Sequence, residues 1–268
     1  MDVFAAEDGV RRPPARPLAI AAAAVRAILL RDVQLLMGAA GFGLLILIAM
    51  PVGHLLVVVA IFRLFNRLPP EGTDQIVYFG LSILPFVIFI YFSRQIMMAL
   101  IINKPLLYFN RVKVFDILIA RAILEVANAV VVFLVILAVL SLFSTGFEPR
   151  DWPGVVFATA GTIYLAFCVG VAAALVAQIF APFALMYNLM APVFWASSGI
   201  IFFPAAMPHP YDRWLACNPL LQCVEWLRSA YYENYPDRLI DLPYLFGLAT
   251  SLLAGSLIAE RVARRRLR

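Results

Sequence analysis

The sequence predicts an all-α polytopic membrane protein with six transmembrane helices, both termini cytoplasmic, and short exterior gate helices between spans five and six. Three observations lead there. Of 268 residues, 64% are apolar and only 14% are Asp, Glu, Lys or Arg, where a soluble domain carries about 45–50% and about 25%. Uncharged stretches recur at or beyond the ~20 residues that a helix needs to cross ~30 Å of hydrocarbon. The basic residues, 19 Arg and two Lys, gather at the ends of alternate stretches. A soluble fold of this length leaves about a quarter of its extended-chain surface in water, so the composition excludes a cytosolic enzyme, a disordered tail and a nucleic-acid-binding module.

Residues 1–34 read as a cytoplasmic N-terminal arm with an interface helix, 35–260 as the six-span domain and 261–268 as a basic cytoplasmic tail. Between Asp32 and Arg63 lie 30 uncharged residues, too many for one upright helix. A bent entry over 34–41 is expected, then span one over about 42–62, kinked at Pro51. Residues 75–93 form span two. Residues 126–147 form the body of span three, whose start near Ile117 follows from the period of Asp116, Arg121 and Glu125.

The 60 uncharged residues between Asp151 and Asp212 would extend roughly 90 Å as one helix, so the chain must turn back. The break falls at 178–182, because the residue before a proline leaves the helical region. Span four is then about 153–177, span five about 182–203 and span six 242–259.

Orientation follows from Lys and Arg in short flanks. Fourteen lie in the N-terminal arm, in the segment after span two (Arg94, Lys104, Arg111, Lys113) and in the tail. The opposite connections hold six, diluted by carboxylates. Both termini are therefore expected in the cytoplasm.

Segment 204–241 is the longest connection. Asn218 before Pro219 reads as an N-cap with proline in the first turn, opening a helix to about Tyr232. Leu220, Val224, Leu227 and Tyr231 share one face, and Gln222, Glu225, Ser229 and Tyr232 the other. Such a helix is expected to lie in the interface. Trp214, Trp226 and Tyr235 fit an aromatic belt, or short exterior helices that close the mouth of a pathway.

In span five, Phe183, Tyr187, Met190 and Phe194 fall on one face, followed by Trp195. They read either as a conduit wall, since ring contacts to sugar faces are weak and sequence-tolerant, or as ordinary packing and lipid-facing residues. His54, mid-way along span one, is an ionisable group in hydrocarbon and so a functional candidate; a neutral imidazole bonded to a neighbouring helix is the other reading. Arg121 and Glu125, at i and i+4, read as a structural ion pair. Arg94, at the cytoplasmic end of span two, reads either as an arginine that snorkels to the interface or as one that attracts an anionic group by its field.

What the sequence lacks bears on energetics. Neither lysine follows a glycine, so there is no phosphate-binding loop of the form G-x-x-x-x-G-K-[ST]. No zinc-spaced cluster, paired carboxylate or triad suggests a metal or catalysis. The chain is therefore expected not to be an enzyme and to bind no cofactor, its energy coming from a partner.

Three blocks carry a family resemblance. Leu30-Arg31-Asp32 followed by Met50-Pro51-Val52-Gly53-His54-Leu55-Leu56 is the first. Asn103-Lys104-Pro105-Leu106-Leu107 with Val112-Lys113-Val114-Phe115-Asp116, running into Ile119 through Glu125, is the second. Cys217-Asn218-Pro219-Leu220 with Val224-Glu225 is the third. In this order they resemble the membrane subunits of polysaccharide-exporting ABC transporters, the type-2 permease group, and the capsule-exporter branch most of all. The chain departs from the family pattern at Gln34-Leu35-Leu36-Met37-Gly38, where basic residues are common, at Met50 and at Val114.

The resemblance implies a multi-pass bacterial inner-membrane permease that moves a lipid-anchored acidic capsular polysaccharide, with O-antigen or teichoic-acid polymers as the alternative cargo. A membrane-embedded glycosyl or phosphoglycosyl transferase lacks the clustered acidic residues it would need. The expected assembly is a homodimer with two cytoplasmic ABC ATPase subunits that hold ATP and Mg, a periplasmic co-polymerase-type protein and an outer-membrane pore. Spans one and five would line the conduit. Asn103, Lys104, Tyr108, Arg111 and Lys113 would couple to the ATPase. Asn218, Pro219, Glu225 and Trp226 would belong to the exterior gate.

Overall fold

The computed structural model of the chain describes residues 17–38, 42–65, 68–69, 72, 74–109, 112–144 and 146–266. Among them there are helices and no strands: α1 (Pro17–Gly38), α2 (Phe42–Leu64), α3 (Gln75–Ile102), α4 (Val114–Phe143), α5 (Trp152–Ile179), α6 (Phe183–Leu189), α7 (Ala191–Ser197), α8 (Tyr211–Ala216), α9 (Pro219–Tyr231) and α10 (Leu242–Arg266). Four are long and apolar enough to cross a membrane: Gln75–Ile102, Val114–Phe143, Trp152–Ile179 and Leu242–Val262. Two shorter apolar stretches, Ala49–Leu64 and Phe183–Ser197, accompany them.

The axis of the bundle is α3, buried along almost its whole length from Val77 to Leu100. It starts where the Asp74 carboxylate accepts the Ile76 N–H at 2.8 Å, an N-cap. Pro85 sits inside it without breaking it, as membrane helices packed among others tolerate. Against it lies α5. A Cβ added at Gly170 would come within 2.9 Å of the Ser93 carbonyl oxygen, so the two backbones meet as small-residue packing allows in membranes. On the other side stands α4, which starts at Val114, three residues before Ile117, because Asp116 Oδ2 accepts the Lys113 N–H at 2.9 Å.

The break between spans four and five falls where expected, with α5 closing at Ile179 and Phe180 as its cap. Span five does not. The single helix expected over 182–203 is two seven-residue helices that meet at Met190. The cause is Pro192, which has no N–H for the carbonyl of Asn188 and whose ring clashes with it. Together they rise roughly 22 Å, short of the hydrocarbon thickness. After Ser197 the chain turns through Gly199 at φ +76, a conformation that suits glycine alone.

The interfacial position expected for α9 is also corrected. Asn218 caps it, accepting the Leu220 N–H at 3.0 Å, but Gln222 and Glu225 on the polar face are as buried as Leu220 and Val224 on the apolar one. The helix is tucked into the bundle against α3 and α5, where its polar face finds partners rather than headgroups. The backbone N–H groups of Arg150 and Asp151 donate to the carbonyls of Tyr231 and Ala230 at 3.1 and 2.9 Å, joining the end of α9 to the start of α5.

Candidate translocation and gating site

Arg228 on α9 is fully enclosed, as is Glu225 one turn before it. A guanidinium there is tolerable only with its nitrogens hydrogen-bonded, and all three are. Its Nε and Nη2 donate to Ser82 Oγ on α3 at 3.1 and 2.6 Å, Nη2 also donates to the Gly199 carbonyl at 2.7 Å, and Nη1 donates to Glu225 Oε1 at 2.9 Å. The Tyr78 ring lies beneath it, 4.3 Å from Cζ, a cation–π contact. Tyr235 donates its hydroxyl to the same Glu225 oxygen at 2.9 Å. Burial, the largest influence, pushes the Glu225 carboxyl above the usual carboxylate range, while Arg228 and Tyr235 hold it part of the way back. This corrects Tyr235 as a belt aromatic: it is buried, and its hydroxyl serves Glu225 rather than a headgroup.

Arg228 thus binds one helix of the connection between α7 and α10 to α3 and to the turn that ends the broken helix. Reading it as one more exterior arginine misses this. The signal available was Glu225 at i−3, which marks an ion pair on one helix face.

The gate candidates divide around this knot. Asn218 caps α9 and donates through Nδ2 to Ser197 Oγ at 2.9 Å, linking α9 to the end of α7. Pro219 is the first residue of α9. Trp226 is half-buried, with its ring 6.1 Å from Phe246 on α10. Trp214 is exposed on α8.

Of the conduit candidates, the structure brings most together against α3. Tyr187 is buried and donates its hydroxyl to Ser93 Oγ at 2.7 Å. Its ring stands 6.2 Å from both Phe183 and Phe194, and Phe194 meets Phe89 edge-on at 5.7 Å. Trp195 Nε1 donates to His54 Nε2 at 2.9 Å, so His54 is an imidazole bonded to a neighbouring helix, with Phe86 edge-on at 5.6 Å. Met190, at the junction of α6 and α7, is exposed instead, and so is Arg94.

At the other end of the bundle, Arg121 on α4 pairs with Glu125 at 2.6 Å and approaches Asp32 on α1 at 3.8 Å, and Asp32 pairs with Arg31 at 2.6 Å. Arg31 also donates to the side-chain oxygen of Asn103, the buried C-cap of α3. Asn103 therefore anchors α1, while Lys104 and Tyr108 project from the short 3₁₀ helix Lys104–Tyr108 into the open. Lys113 is exposed at the start of α4. Arg111 lies outside the described residues. In the connection before α9, Asp212 is held between His209 at 2.8 Å and Arg238 at 3.8 Å.

No family model matches the chain. Curated proteins do. It is 27% identical over 240 residues, 88% of this chain and 93% of the relative, to the polysialic acid transport protein KpsM of Escherichia coli. It is 27% identical over 218 residues, 81% and 82% of the two chains, to the capsule polysaccharide export inner-membrane protein CtrC of Neisseria meningitidis serogroup B. The capsule polysaccharide export inner-membrane protein BexB of Haemophilus influenzae is 26% identical over the same shares. The resemblance read from the three sequence blocks is borne out along most of the chain.

Proposed function

We propose that this chain is the transmembrane subunit of an inner-membrane exporter of capsular polysaccharide, driven by ATP that a partner subunit hydrolyses. The observation that carries the reading is the similarity to three capsule-export or polysialic-acid-transport proteins over four-fifths or more of the chain. The bundle agrees in kind, with long apolar helices and a broken, aromatic-lined pair beside a buried polar knot.

The physical task suits these residues. An acidic glycan cannot cross hydrocarbon unaided, because each charge at the bilayer centre costs at least ~2.5–3.5 kcal/mol. In our reading the chain has six spans with both termini cytoplasmic, α2 and the α6–α7 pair serving as the two short ones. Two copies enclose the path. The rings of Phe183, Tyr187 and Phe194 stiffen its wall, Trp195 and His54 tie α7 to α2, and exposed Met190 faces the path. Arg94 draws the anionic cargo by its field.

Work enters through the exposed loop between α3 and α4. Lys104, Tyr108, Arg111 and Lys113 rest on the ATPase, and Asn103, bonded to Arg31, passes the push to α1. At the exterior end, Asn218, Pro219, Glu225 and Trp226 form the gate, with Arg228 as its fastening to α3. ATP and Mg belong to the ATPase. A periplasmic co-polymerase-type protein and an outer-membrane pore complete the route, and the cargo is lipid-linked.

A clean deletion strain tests the reading. The polymer is expected to accumulate inside the cell and to vanish from the surface, both restored by the intact gene. Unchanged surface polymer in the deletion strain would overturn it. Chemical identification of the trapped polymer separates a capsule glycan from O-antigen or teichoic acid. The purified chain alone is expected to hydrolyse no ATP.

A further inference from the structure

A cavity of about 290 Å³ lies between α2, α3 and α4, close to the smaller end of ligand pockets. Its polarity is graded. Near one end it is lined by Gln95 and Arg121, with Glu125 and Asn128 about one and two turns deeper along α4. Gln95 stands seven residues before the last residue of α3, and Arg121 seven residues after the first of α4, so both lie roughly 10 Å from the same end of two antiparallel helices. Toward the other end the lining is Val87, Ile88, Phe92, Ala129 and Val132. Ile46 and Met50 line it from α2 and are exposed, so it opens sideways, where the bilayer lies. The polar-to-apolar order runs the same way on both helices, as the surrounding leaflet does from headgroup to chain.

The head end is charge-balanced: Arg121 faces Glu125 and Asp32, and Asp32 faces Arg31. A bare anion gains little from such a set, since each cation already has a carboxylate. What remains is hydrogen-bonding capacity. Among the described residues, the buried Arg121 Nε–H has no acceptor, a state that costs free energy unless something fills it. Asn128 spends one N–H on Glu125 Oε2 at 3.2 Å and keeps further donor and acceptor capacity.

We propose that this cavity binds one hydrocarbon chain of a membrane amphiphile whose head is uncharged and rich in hydroxyls, the head meeting Gln95 and Arg121 and the chain lying along Phe92, Ile88 and Val132. The inference rests on the chain's lying in a bilayer, not on which polymer it exports. Such a lipid, held within a single copy, stiffens the α2–α3–α4 contact.

The test uses the full chain in phosphatidylethanolamine vesicles containing a monoacylglycerol with a photoreactive group midway along its acyl chain. Crosslinks are expected to map to residues 87–95 and 121–132. The filling variants Ala129→Phe and Val132→Phe are expected to lower them roughly tenfold, the equivalent of ~1.4 kcal/mol of binding, while labelling of the lipid-facing side of α10 stays unchanged as the sign of an intact fold. The same probe with a phosphate head is expected to label the cavity less. Crosslinks spread evenly over the outward faces of α4 and α10 in the wild-type chain overturn the proposal, as does stronger labelling by the phosphate-headed probe. Export is not the readout, so a wild-type chain whose cavity takes up no label refutes the lipid site alone, and surface polymer in the deletion strain refutes the export reading alone.

Discussion

Arg228 Nη2 lies 2.6 Å from Ser82 Oγ, a bond between residues 146 positions apart that fastens α9 to the central helix. Ser82 in turn donates to the Tyr78 carbonyl at 2.5 Å, so its one oxygen serves α3 and the guanidinium at once. Arg228→Met removes the cation and strands Glu225, whose carboxyl burial already pushes upward. A loss of about 3–5 kcal/mol is expected, as for other broken buried pairs, read by denaturant unfolding in detergent. Arg228→Lys is expected to restore only part, because one ammonium cannot reach Ser82, Gly199 and Glu225 together. The double variant Arg228→Met with Glu225→Gln is expected to lose less than the sum of the single changes.

Trp195→Phe keeps the ring and deletes the bond to His54. Its expected cost is about 0.5–1.5 kcal/mol. With His54→Phe added, the total is expected to fall short of the sum, since both changes remove the same bond. Strict additivity across the pair would show that the 2.9 Å contact carries no coupling.

Gly170→Ala places a Cβ 2.8 Å from that of Ile96 and 2.9 Å from the Ser93 carbonyl oxygen. Backbone cannot step aside as a side chain can, so α5 must lift from α3, at a cost of about 1–3 kcal/mol. Gly247→Ala, with nothing within 4 Å of the new Cβ, is the contrast, expected to be neutral or to gain about 0.5–1 kcal/mol from helix propensity. Thermal unfolding of both variants checks the difference.

Acid is expected to loosen the contact around Asp212. Burial alone would raise the Asp212 pKa, but the Arg213 backbone N–H, His209 and Arg238 outweigh it and hold the carboxyl below its usual value. The folded contact therefore binds fewer protons than the unfolded one, and its stabilisation is full above the ordinary carboxylate range and lost as pH falls through the lowered value. Trp214 emission, with the other tryptophans replaced by phenylalanine, is expected to report a transition on acidification that Asp212→Asn abolishes.

Much of the helix layout was legible because its signals are local. The cap at Asn218, the break before Pro182 and the pairing of Arg121 with Glu125 each depend on residues within one or two turns. The broken span five was legible in principle, since Pro192 stands in the sequence, but an uncharged run hides a proline whose lost hydrogen bond ends a helix. His54 needed a partner on another helix, and nothing short of packing could name Trp195, 141 residues away.

By itself, then, the chain of residues determined that this is an α-helical membrane protein, where most helices start and stop, and which protein group it resembles, because uncharged length, caps and charge position are one-dimensional quantities. Only the tertiary structure decided that α9 is buried rather than interfacial and that Arg228 closes a knot around Ser82, Gly199 and Glu225. A helix period states which residues share a face. What covers that face is set by distant segments, and burying a charge is tolerable only where those segments supply every hydrogen bond it needs.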